Sequence, residues 1–265
     1  RPEVDAVVIG LPNYLHASAT IQMLEAGKHV LCEKPMALSV AEGEAMIAAG
    51  RRAGRKLMIA HMWRFDREIL WLRDLVAGGT LGKVFKVKSH AIWLYEGPPP
   101  GAWFVTPELA GGGALADMGI HSIDTLRYVL NGARPVRVWA NVGTHFRDIA
   151  LEDTATVMVE FEGGIVGLIE AGWYHLYADG LEGYTQVYGT RGYARALPAE
   201  LHSHVGGVWS VTRPQMPARK QQCDLPMYEA QMDHFLRSIL EDTEPSPGGE
   251  EGLWAAETGE YDAII

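Results

Sequence analysis

Apolar runs and stretches of helical period alternate through the first quarter of the chain. Short runs rich in β-branched residues predict strands, and apolar residues at every third or fourth position predict helices. The strands cover residues 4–9, 28–32 and 57–60, and the helices cover residues 17–25 and 40–53. Ser39 and Glu42 have the spacing of a helix capping box, which supports the start of the second helix. Two successive strand–helix–strand crossovers predict a parallel sheet covered by helices.

After residue 65 the pattern mixes helix and strand and then becomes a series of strands. Helices are predicted at residues 67–77, 114–130, 227–240 and from about 250, and strands at residues 84–95, 136–142, 153–161, 165–172 and 184–188. Gly163-Gly164, between two alternating runs, predicts a hairpin turn. Consecutive strands without intervening helices imply an antiparallel sheet.

These patterns divide the chain into two predicted domains. Residues 1–61 form a parallel α/β unit. Residues 62–265 form an α+β unit whose last helix packs back on the first domain. A length of 265 residues is ample for a packed core. The predicted fold class is therefore α/β followed by α+β.

Composition and charge exclude several classes of protein. Hydrophobic residues make up 48% and charged residues 21% of the chain, which excludes a disordered or collagen-like protein. A net charge of −10 with one short basic stretch, at residues 51–56, argues against nucleic acid as a partner. No apolar run reaches the ~18 residues of a membrane span. Two cysteines, Cys32 and Cys223, and the lack of a signal-peptide pattern lead us to expect a reducing cytoplasm.

Two short polar segments follow predicted parallel strands, at the edge where doubly wound sheets bind ligands. They are Pro12-Asn13 with His16 after the first strand, and Glu33-Lys34-Pro35 after the second. Pro35 is able to form a cis peptide bond, which aims neighbouring side chains. The alternatives are a helix cap for Asn13 and a charged surface turn for the second segment.

A glycine run at residues 111–113 precedes the strongest candidate cluster. On a helix, Asp117 and His121 share a face, and Asp124 lies on nearly the same stripe. An Asp beside a His fixes its tautomer and raises its basicity, as a general base requires. Gly119 within this helix indicates close approach of a ligand or of another backbone. The alternative is a core His with a capping Asp.

Two other chemistries compete for these residues. Asp117 and His121 supply two metal ligands, and His202 and His204 form a second pair, but no third ligand at zinc spacing is visible. No GxSxG pattern marks a serine nucleophile. We therefore expect neither a metal centre nor a serine triad.

Aromatic residues flank the loop before the glycine run and follow a later strand. They are Trp93, Tyr95, Trp103 and Phe104, then Trp173, Tyr174 and Tyr177. Aromatic walls suit sugar rings, and the alternative for each is a place in the hydrophobic core.

Taken in order, these elements match a family pattern over essentially the whole chain. The matching residues are Pro12, Asn13 and His16, the run from Ala26 to Pro35, Arg64-Phe65, residues 111–113 with Asp117, Gly119, His121 and Asp124, and Glu152-Asp153-Thr154. The chain resembles the glucose–fructose oxidoreductase / inositol dehydrogenase / rhizopine-catabolism (Gfo/Idh/MocA) family of NAD(P)-dependent oxidoreductases. One departure is Leu11, where relatives commonly carry Thr.

The resemblance implies a partial Rossmann domain, parallel and doubly wound, then an α+β domain with an open, mostly antiparallel sheet through which subunits form a homodimer or homotetramer. It implies hydride exchange between NAD or NADP and a hydroxyl-bearing carbon of a sugar, cyclitol or related polyol. Lys34 then polarises the reacting oxygen, His121 takes or gives the hydroxyl proton, and Asp117 supports His121. The cofactor contacts implied are Pro12, Asn13, His16, Glu33, Pro35 and Arg64. The substrate contacts implied are Trp93, Tyr95, Trp103, Asp124 and Trp173.

No GxGxxG pattern follows a predicted strand in this chain. In the family that glycine loop precedes the strand at residues 4–9, so we expect this strand to expose an apolar sheet edge. Three explanations stay open: a portion of a longer protein, a cofactor-free binding or assembly module, or a partner chain that supplies the missing half. An NAD-dependent glycosidase of the same family is a further alternative to the dehydrogenase.

Overall fold

The opening part of the chain folds into a small parallel sheet flanked by helices. The computed structural model describes residues 1–94, 102–174, 183–217 and 223–259. Its first elements are β1 (Ala6–Ile9), α1 (His16–Glu25), β2 (His29–Cys32), α2 (Val40–Ala53) and β3 (Leu57–Ile59). The strand order is β1-β2-β3, and both pairs are parallel. The predicted pair of βαβ units is therefore confirmed.

Local capping explains where α2 begins. The hydroxyl of Ser39 accepts a hydrogen bond from the Glu42 N–H, as predicted. The Glu42 carboxylate accepts its bond from the N–H of Leu38 rather than from that of Ser39. In a capping box the Glu42 carboxylate would bond the N–H of the N-cap residue, Ser39. Here it bonds the N–H of Leu38, one residue earlier.

The rest of the chain forms a large sheet with helices on one face. Its elements are α3 (Arg67–Ala77), β4 (Val84–Trp93), α4 (Pro107–Ala110), a π-helical turn (Leu115–Gly119), α5 (Ile120–Val129), β5 (Pro135–Gly143), β6 (Thr154–Phe161), β7 (Ile165–Trp173), β8 (Gly183–Gly189), β9 (Gly192–Ala196), β10 (Glu200–Val205), β11 (Val208–Thr212), α6 (Leu225–Leu240) and α7 (Gly249–Gly259). The order β11-β10-β9-β8-β4-β7-β6-β5 is antiparallel except where β4 meets β7 in parallel. The expected open, mostly antiparallel sheet is confirmed.

Alternation along the strands decides which face of the large sheet is buried. In β6, Ala155, Val157, Val159 and Phe161 are buried against the helical layer, where α5 contributes its own apolar residues. The residues between them face the other side, and Met158 is 36% exposed. The alternation of apolar and polar residues along the strand therefore places one face of the sheet against the helices and leaves the other face open.

The sequence-based elements differ from the structure in three places. The helix predicted at residues 114–130 is continuous, but its first part is the π-helical turn, which hydrophobic periodicity does not signal. The short helix α4 is absent from the prediction. The strands β9, β10 and β11 are absent as well, and β11 is exposed along its whole length, so it carries no buried apolar face. A Cβ atom at Gly119 would lie 2.6 Å from the side chain of Leu115 and 3.1 Å from that of Ala171 on β7, so side chains, rather than the expected ligand or backbone, crowd this glycine.

Helix α7 packs against the small sheet. Leu253 joins the core formed by β1, β2, β3 and their helices, and the N–H of Ile59 donates to the carbonyl of Pro247 at 3.0 Å. On the other side β1 is the edge strand, and Val8 there is 53% exposed. Among the described residues, no helix combines the length and the apolar character needed to cross a lipid bilayer.

Candidate active site

Lys34, Asp117 and His121 line one cleft of about 530 Å³. Lys34 follows β2, while Asp117 and His121 lie on the π-helical turn and at the start of α5. The cleft therefore lies where the carboxyl end of the small parallel sheet meets the large sheet's helical layer. Its full lining is Glu33, Lys34, Met62, Trp63, Trp93, Asp117, Met118, His121, Cys223 and Tyr228.

The ammonium of Lys34 is held in a fixed position. Its Nζ donates to the Oδ1 and to the backbone carbonyl of Asp117, each at 2.7 Å. The Lys34–Pro35 peptide bond is cis, the isomer that the sequence suggests. Both side chains are largely buried, with 15% of Lys34 and 20% of Asp117 exposed. A lysine has three N–H donors, so one remains for an oxygen atom in the cleft.

The carboxylate of Asp117 is fully engaged away from His121. Its Oδ1 accepts from Lys34, and its Oδ2 accepts from the indole Nε1 of Trp173 at 3.0 Å. The expected support of His121 by Asp117 is therefore not formed as a hydrogen bond among the described residues. The carboxylate, on the π-helical turn, is instead directed to Lys34 and Trp173.

Glu152 holds the start of this helix. Its carboxylate accepts from the N–H groups of Gly113 and Leu115 at 3.0 Å. A Cβ atom at Gly113 would lie 2.0 Å from the Glu152 carbonyl oxygen, so only glycine fits there. Burial raises the pKa of Glu152, and the backbone N–H bonds oppose that rise. The last glycine of the run thus serves a close backbone contact that brings the π-helical turn beside the cleft.

His121 is a buried, neutral imidazole at the wall of the cleft. It is 4% exposed and stacks on Trp63 with ring centroids 4.9 Å apart. Its Nδ1 is buried and has no hydrogen-bond partner among the described residues. Burial holds the pKa of His121 well below its usual value, and the nearby Lys34 and His61 lower it further. A neutral imidazole at neutral pH has one nitrogen free to accept a proton.

The cleft holds one further predicted residue, Glu33, and several that the sequence analysis did not predict. Burial raises the pKa of Glu33, against the opposing effect of Lys34, and burial also raises the pKa of Tyr228, which was not predicted. Trp63 and Met62 form a 3-10 turn just after β3, and Tyr228 lies on α6, near the other end of the chain. The end of β3 is a third position at the ligand-binding edge of a parallel sheet, and that signal was available for Trp63. For Tyr228 no local signal exists.

The segment after β1 is tied down by hydrogen bonds. The amide of Asn13 donates to the carbonyl of Ala110 at 2.8 Å and caps no helix, so the alternative of a helix cap is wrong, while its contact with a cofactor stays a prediction. The ring nitrogens of His16 lie 2.7 Å from the Pro35 carbonyl oxygen and 2.8 Å from that of Leu11. His16 therefore joins the loops that follow β1 and β2, and it is 1% exposed.

Arg64 and Asp124 form a buried ion pair away from the lining of the cleft. The guanidinium of Arg64 donates through Nε and Nη2 to both carboxylate oxygens of Asp124, at 2.8 and 2.5 Å. It also bonds Ser246 and Glu251, which precede and begin α7. These contacts occupy both side chains, so the structure does not bring them to the cleft with Lys34 and His121.

The aromatic candidates separate into one cleft residue and a packed group. Trp93 lines the cleft and is 41% exposed. Trp103 meets Phe104 edge to face, Phe104 packs on Trp173, and Trp173 is 1% exposed. Trp103 and Trp173 are thus part of the wall behind Asp117. Tyr174 meets Trp173 edge to face, and the other two candidates, Tyr95 and Tyr177, lie outside the described residues.

Metal ligation has no assembled candidate in the part of the chain that the structure describes. No group of three His, Cys, Asp or Glu side chains is placed there to hold an ion. His202 bonds Glu200, and His204 stacks on Trp209. Asp117, as described above, uses its carboxylate on Lys34 and Trp173.

Comparison with known proteins agrees with this architecture. Residues 1–61 match the oxidoreductase family with an NAD-binding Rossmann fold, and residues 69–195 match the GFO/IDH/MocA C-terminal domain. The 1,5-anhydro-D-fructose reductase of Ensifer adhaerens is 30% identical over 97% of this chain and 76% of its own length. The D-xylose 1-dehydrogenase [NADP(+)] of Haloarcula marismortui is 30% identical over 94% of this chain and 69% of its own.

A solved structure has the same fold. The aldose-aldose oxidoreductase of Caulobacter crescentus, crystallised with glycerol, superposes with a TM-score of 0.82 at 34% identity. The match covers 97% of this chain and 75% of that protein, so the chain spans about three quarters of the length of these relatives. Family models and a relative aligned over nearly the whole chain lead to one conclusion: the chain belongs to the GFO/IDH/MocA family of oxidoreductases.

Proposed function

We propose that this protein transfers a hydride between NAD or NADP and a hydroxyl-bearing carbon of a sugar, cyclitol or related polyol. The observation that carries the proposal is the cleft itself. A fixed ammonium, that of Lys34, and a neutral imidazole, that of His121, line the same space. Oxidation of an alcohol needs a group that stabilises negative charge on oxygen and a group that takes its proton, and these two side chains are of those types.

In this proposal Lys34 and His121 divide the work on one oxygen atom. The remaining N–H of Lys34 donates to the substrate oxygen and stabilises the charge that develops there as the O–H bond breaks. His121 accepts the hydroxyl proton at its Nε2, because its Nδ1 is buried away from the cleft. In the reverse direction the imidazolium returns the proton to the oxygen.

Asp117 and Trp173 are positioning residues for Lys34 in this scheme. The carboxylate and the carbonyl of Asp117 use two of the three ammonium donors, which sets the direction of the third. The indole of Trp173 fixes the carboxylate by its hydrogen bond to Oδ2. The support that Asp117 gives is therefore to Lys34.

The edge of the small sheet fits the nicotinamide end of the cofactor. A Cβ atom at Gly10, at the end of β1, would meet no other atom within 4 Å, so open space lies above the strand end. Asn13, Glu33 and the fixed loop around Pro35 border that edge and would hold the bound ring and its ribose. When bound, NAD or NADP supplies the hydride acceptor or donor.

The walls of the cleft fit a polyol or sugar ring. Trp63, Trp93 and Tyr228 offer aromatic faces, while Glu33, Lys34 and His121 offer polar groups. A sugar has both apolar C–H faces and hydroxyl groups, which such a mixed lining accommodates. The names of the two relatives, a 1,5-anhydro-D-fructose reductase and a D-xylose 1-dehydrogenase, support the same substrate class.

The test is a panel of sugars, cyclitols and polyols with NAD and with NADP, monitored by nicotinamide absorbance and product analysis. The proposal predicts stoichiometric cofactor reduction or oxidation with at least one member. Glycoside hydrolysis without net cofactor turnover would favour a glycosidase. Absence of cofactor binding in a nicotinamide titration would contradict the proposal and favour a binding module.

We further propose that the protein is a homodimer or homotetramer of the cytoplasm, formed through the open face of the large sheet. On that face Trp139 pairs across the strands with Met158, and these residues are 44% and 36% exposed. The two free thiols, Cys32 and Cys223, support a reducing compartment. Light scattering on the wild type and on Trp139→Lys tests the interface, since a charged residue there should give the monomer.

A further inference from the structure

Two buried histidines near the cleft have ring nitrogens without hydrogen-bond partners. Both ring nitrogens of His61 and the Nδ1 of His121 are buried and unpaired among the described residues. His61 is 1% exposed and follows the end of β3. A buried polar atom left unpaired costs about 1–3 kcal/mol, so three such atoms close together call for an explanation.

Geometry brings the two imidazoles against the same face of α5. His121 and Asp124 are i and i+3 on that helix and are neighbours on its surface. The Nδ1 of His61 lies 3.9 Å from Oδ2 of Asp124. Trp63, two residues after His61, stacks on His121. His61 is therefore beside the stripe that carries both residues.

We propose that His61 links His121 to Asp124, directly or through an enclosed water molecule, in a series that orients the imidazole of His121. This inference rests on the proposed function, because it deepens the role of His121 as the proton acceptor. His61 takes the place that sequence reasoning assigns to Asp117. It is a positioning residue, since it acts through His121 and does not line the cleft.

Donors and acceptors in this series are consistent from end to end. In the proposed series the Nδ1–H of His61 is assigned to the Asp124 carboxylate and its Nε2 to the Nδ1–H of His121. Neither contact is a hydrogen bond in the structure as it stands, so a water molecule or a closer approach completes each one. The Nε2 of His121 is then unprotonated and open to a substrate hydroxyl. The separation of 3.9 Å exceeds a hydrogen bond, and such contacts in ligand-free sites tighten when substrate binds.

Burial is the main cause that lowers the pKa of both rings, and nearby charges modify it. Burial lowers the pKa of His61, Arg64 and Lys34 lower it further, and Asp124 and Glu251 raise it. Lys34 and His61 add to the effect of burial on the pKa of His121. Arg64 donates two hydrogen bonds to Asp124 at the far end of the series. A neutral His121 with a fixed tautomer is the form that accepts a proton without first losing one.

Nitrogen NMR of the histidine-labelled protein tests this inference without any substrate. The His121 signals are assigned by comparison with His121→Gln. In the wild type near neutral pH, His121 should be neutral and carry its proton on Nδ1. A wild-type ring protonated on Nε2, or a cationic ring, overturns the inference even if dehydrogenase activity is found. Absence of dehydrogenase activity overturns the proposed function, but it does not overturn the link from His121 through His61 to Asp124.

Two substitutions sharpen the result. His61→Phe keeps ring volume but removes the acceptor, so the ratio of Nδ1–H to Nε2–H tautomer at His121 should fall about five-fold, the equivalent of one hydrogen bond. His61→Gln retains an amide acceptor and should restore much of the ratio. His90→Phe, at another fully buried histidine, should leave His121 unchanged. An unchanged ratio in His61→Phe overturns the link, and if that variant does not fold, the wild-type tautomer and His61→Gln decide.

Discussion

Lys34 and Asp117, 83 residues apart in the chain, meet through two hydrogen bonds of 2.7 Å from one ammonium group. The contact joins the loop after the small parallel sheet to the π-helical turn before α5. It uses the carboxylate that the resemblance assigns to the support of His121. The ammonium and the imidazole are consequently held by different partners, although they line the same cleft.

Removal of the indole N–H behind Asp117 should loosen Lys34. Trp173→Phe deletes the bond to Oδ2 but keeps an aromatic ring in the core. We expect kcat/KM to fall about five-fold, because one hydrogen bond of about 1 kcal/mol no longer fixes the carboxylate. Steady-state kinetics on the best substrate measure this. Trp209→Phe, at a position 73% exposed on β11, is the control and should be neutral. Equal activity in both variants would contradict the role of Trp173.

Arg64 should be a residue of stability rather than of cofactor contact. Arg64→Met leaves Asp124 buried without its partner, which should cost about 3–5 kcal/mol in the free energy of unfolding. Arg134→Met breaks an exposed pair with Glu162 and should cost at most about 1 kcal/mol. Urea denaturation compares the two. A loss of cofactor affinity in Arg64→Met without loss of stability would show that the guanidinium serves the cofactor after all.

Stability should fall as the solution is acidified. The pKa values of His61 and His121 in the folded protein lie below the usual 6.5, because both rings are buried. As the pH falls below that value, the two histidines bind protons more readily in the unfolded chain than in the folded protein. The free energy of unfolding therefore decreases. Urea titrations from about pH 7 to about pH 5 measure the slope. In His121→Gln the slope should be shallower, and an unchanged slope would indicate that His121 charges freely in the folded protein.

Trp93 should contribute to substrate binding. Its side chain lines the cleft, is 41% exposed and lies at the end of β4. Trp93→Leu removes an aromatic face that contacts ground state and transition state alike, so KM should rise several-fold with kcat little changed. A loss confined to kcat would instead place the indole at the reacting atoms. Trp209→Leu serves as the matched surface control.

Local pattern accounts for most of the fold. The apolar period of residues 67–77 predicts α3 at its observed bounds, and Asp66 caps it. The alternation around Gly163-Gly164 predicts the pairing of β6 with β7. The strand β11 has no buried face, so the sequence has no alternation of buried and exposed residues there that would predict a strand. A π-helical turn has no distinct hydrophobic period, so the sequence predicts an ordinary α-helix at the turn that carries Asp117.

The candidate site is less predictable because its contacts join distant segments. Lys34 and His121 stand out by residue type and by position after a strand or a glycine run. Their partners do not: Trp173 and Trp63 are aromatic residues that read equally well as core. Pairing Asp124 with Arg64 rather than with substrate depends on packing across 60 residues of chain. No local pattern reports such a contact.

In the proposed mechanism Lys34 and His121 act together on one substrate oxygen. Rapid-mixing measurement of nicotinamide absorbance, with the best substrate at saturation, compares the wild type with Lys34→Ala and His121→Ala. Circular dichroism and urea titration first establish that each variant is folded. Hydride transfer should slow by a factor of about a hundred or more in each variant, since each lacks an electrostatic or proton-transfer group. Hydride transfer at the wild-type rate in both folded variants would contradict this mechanism.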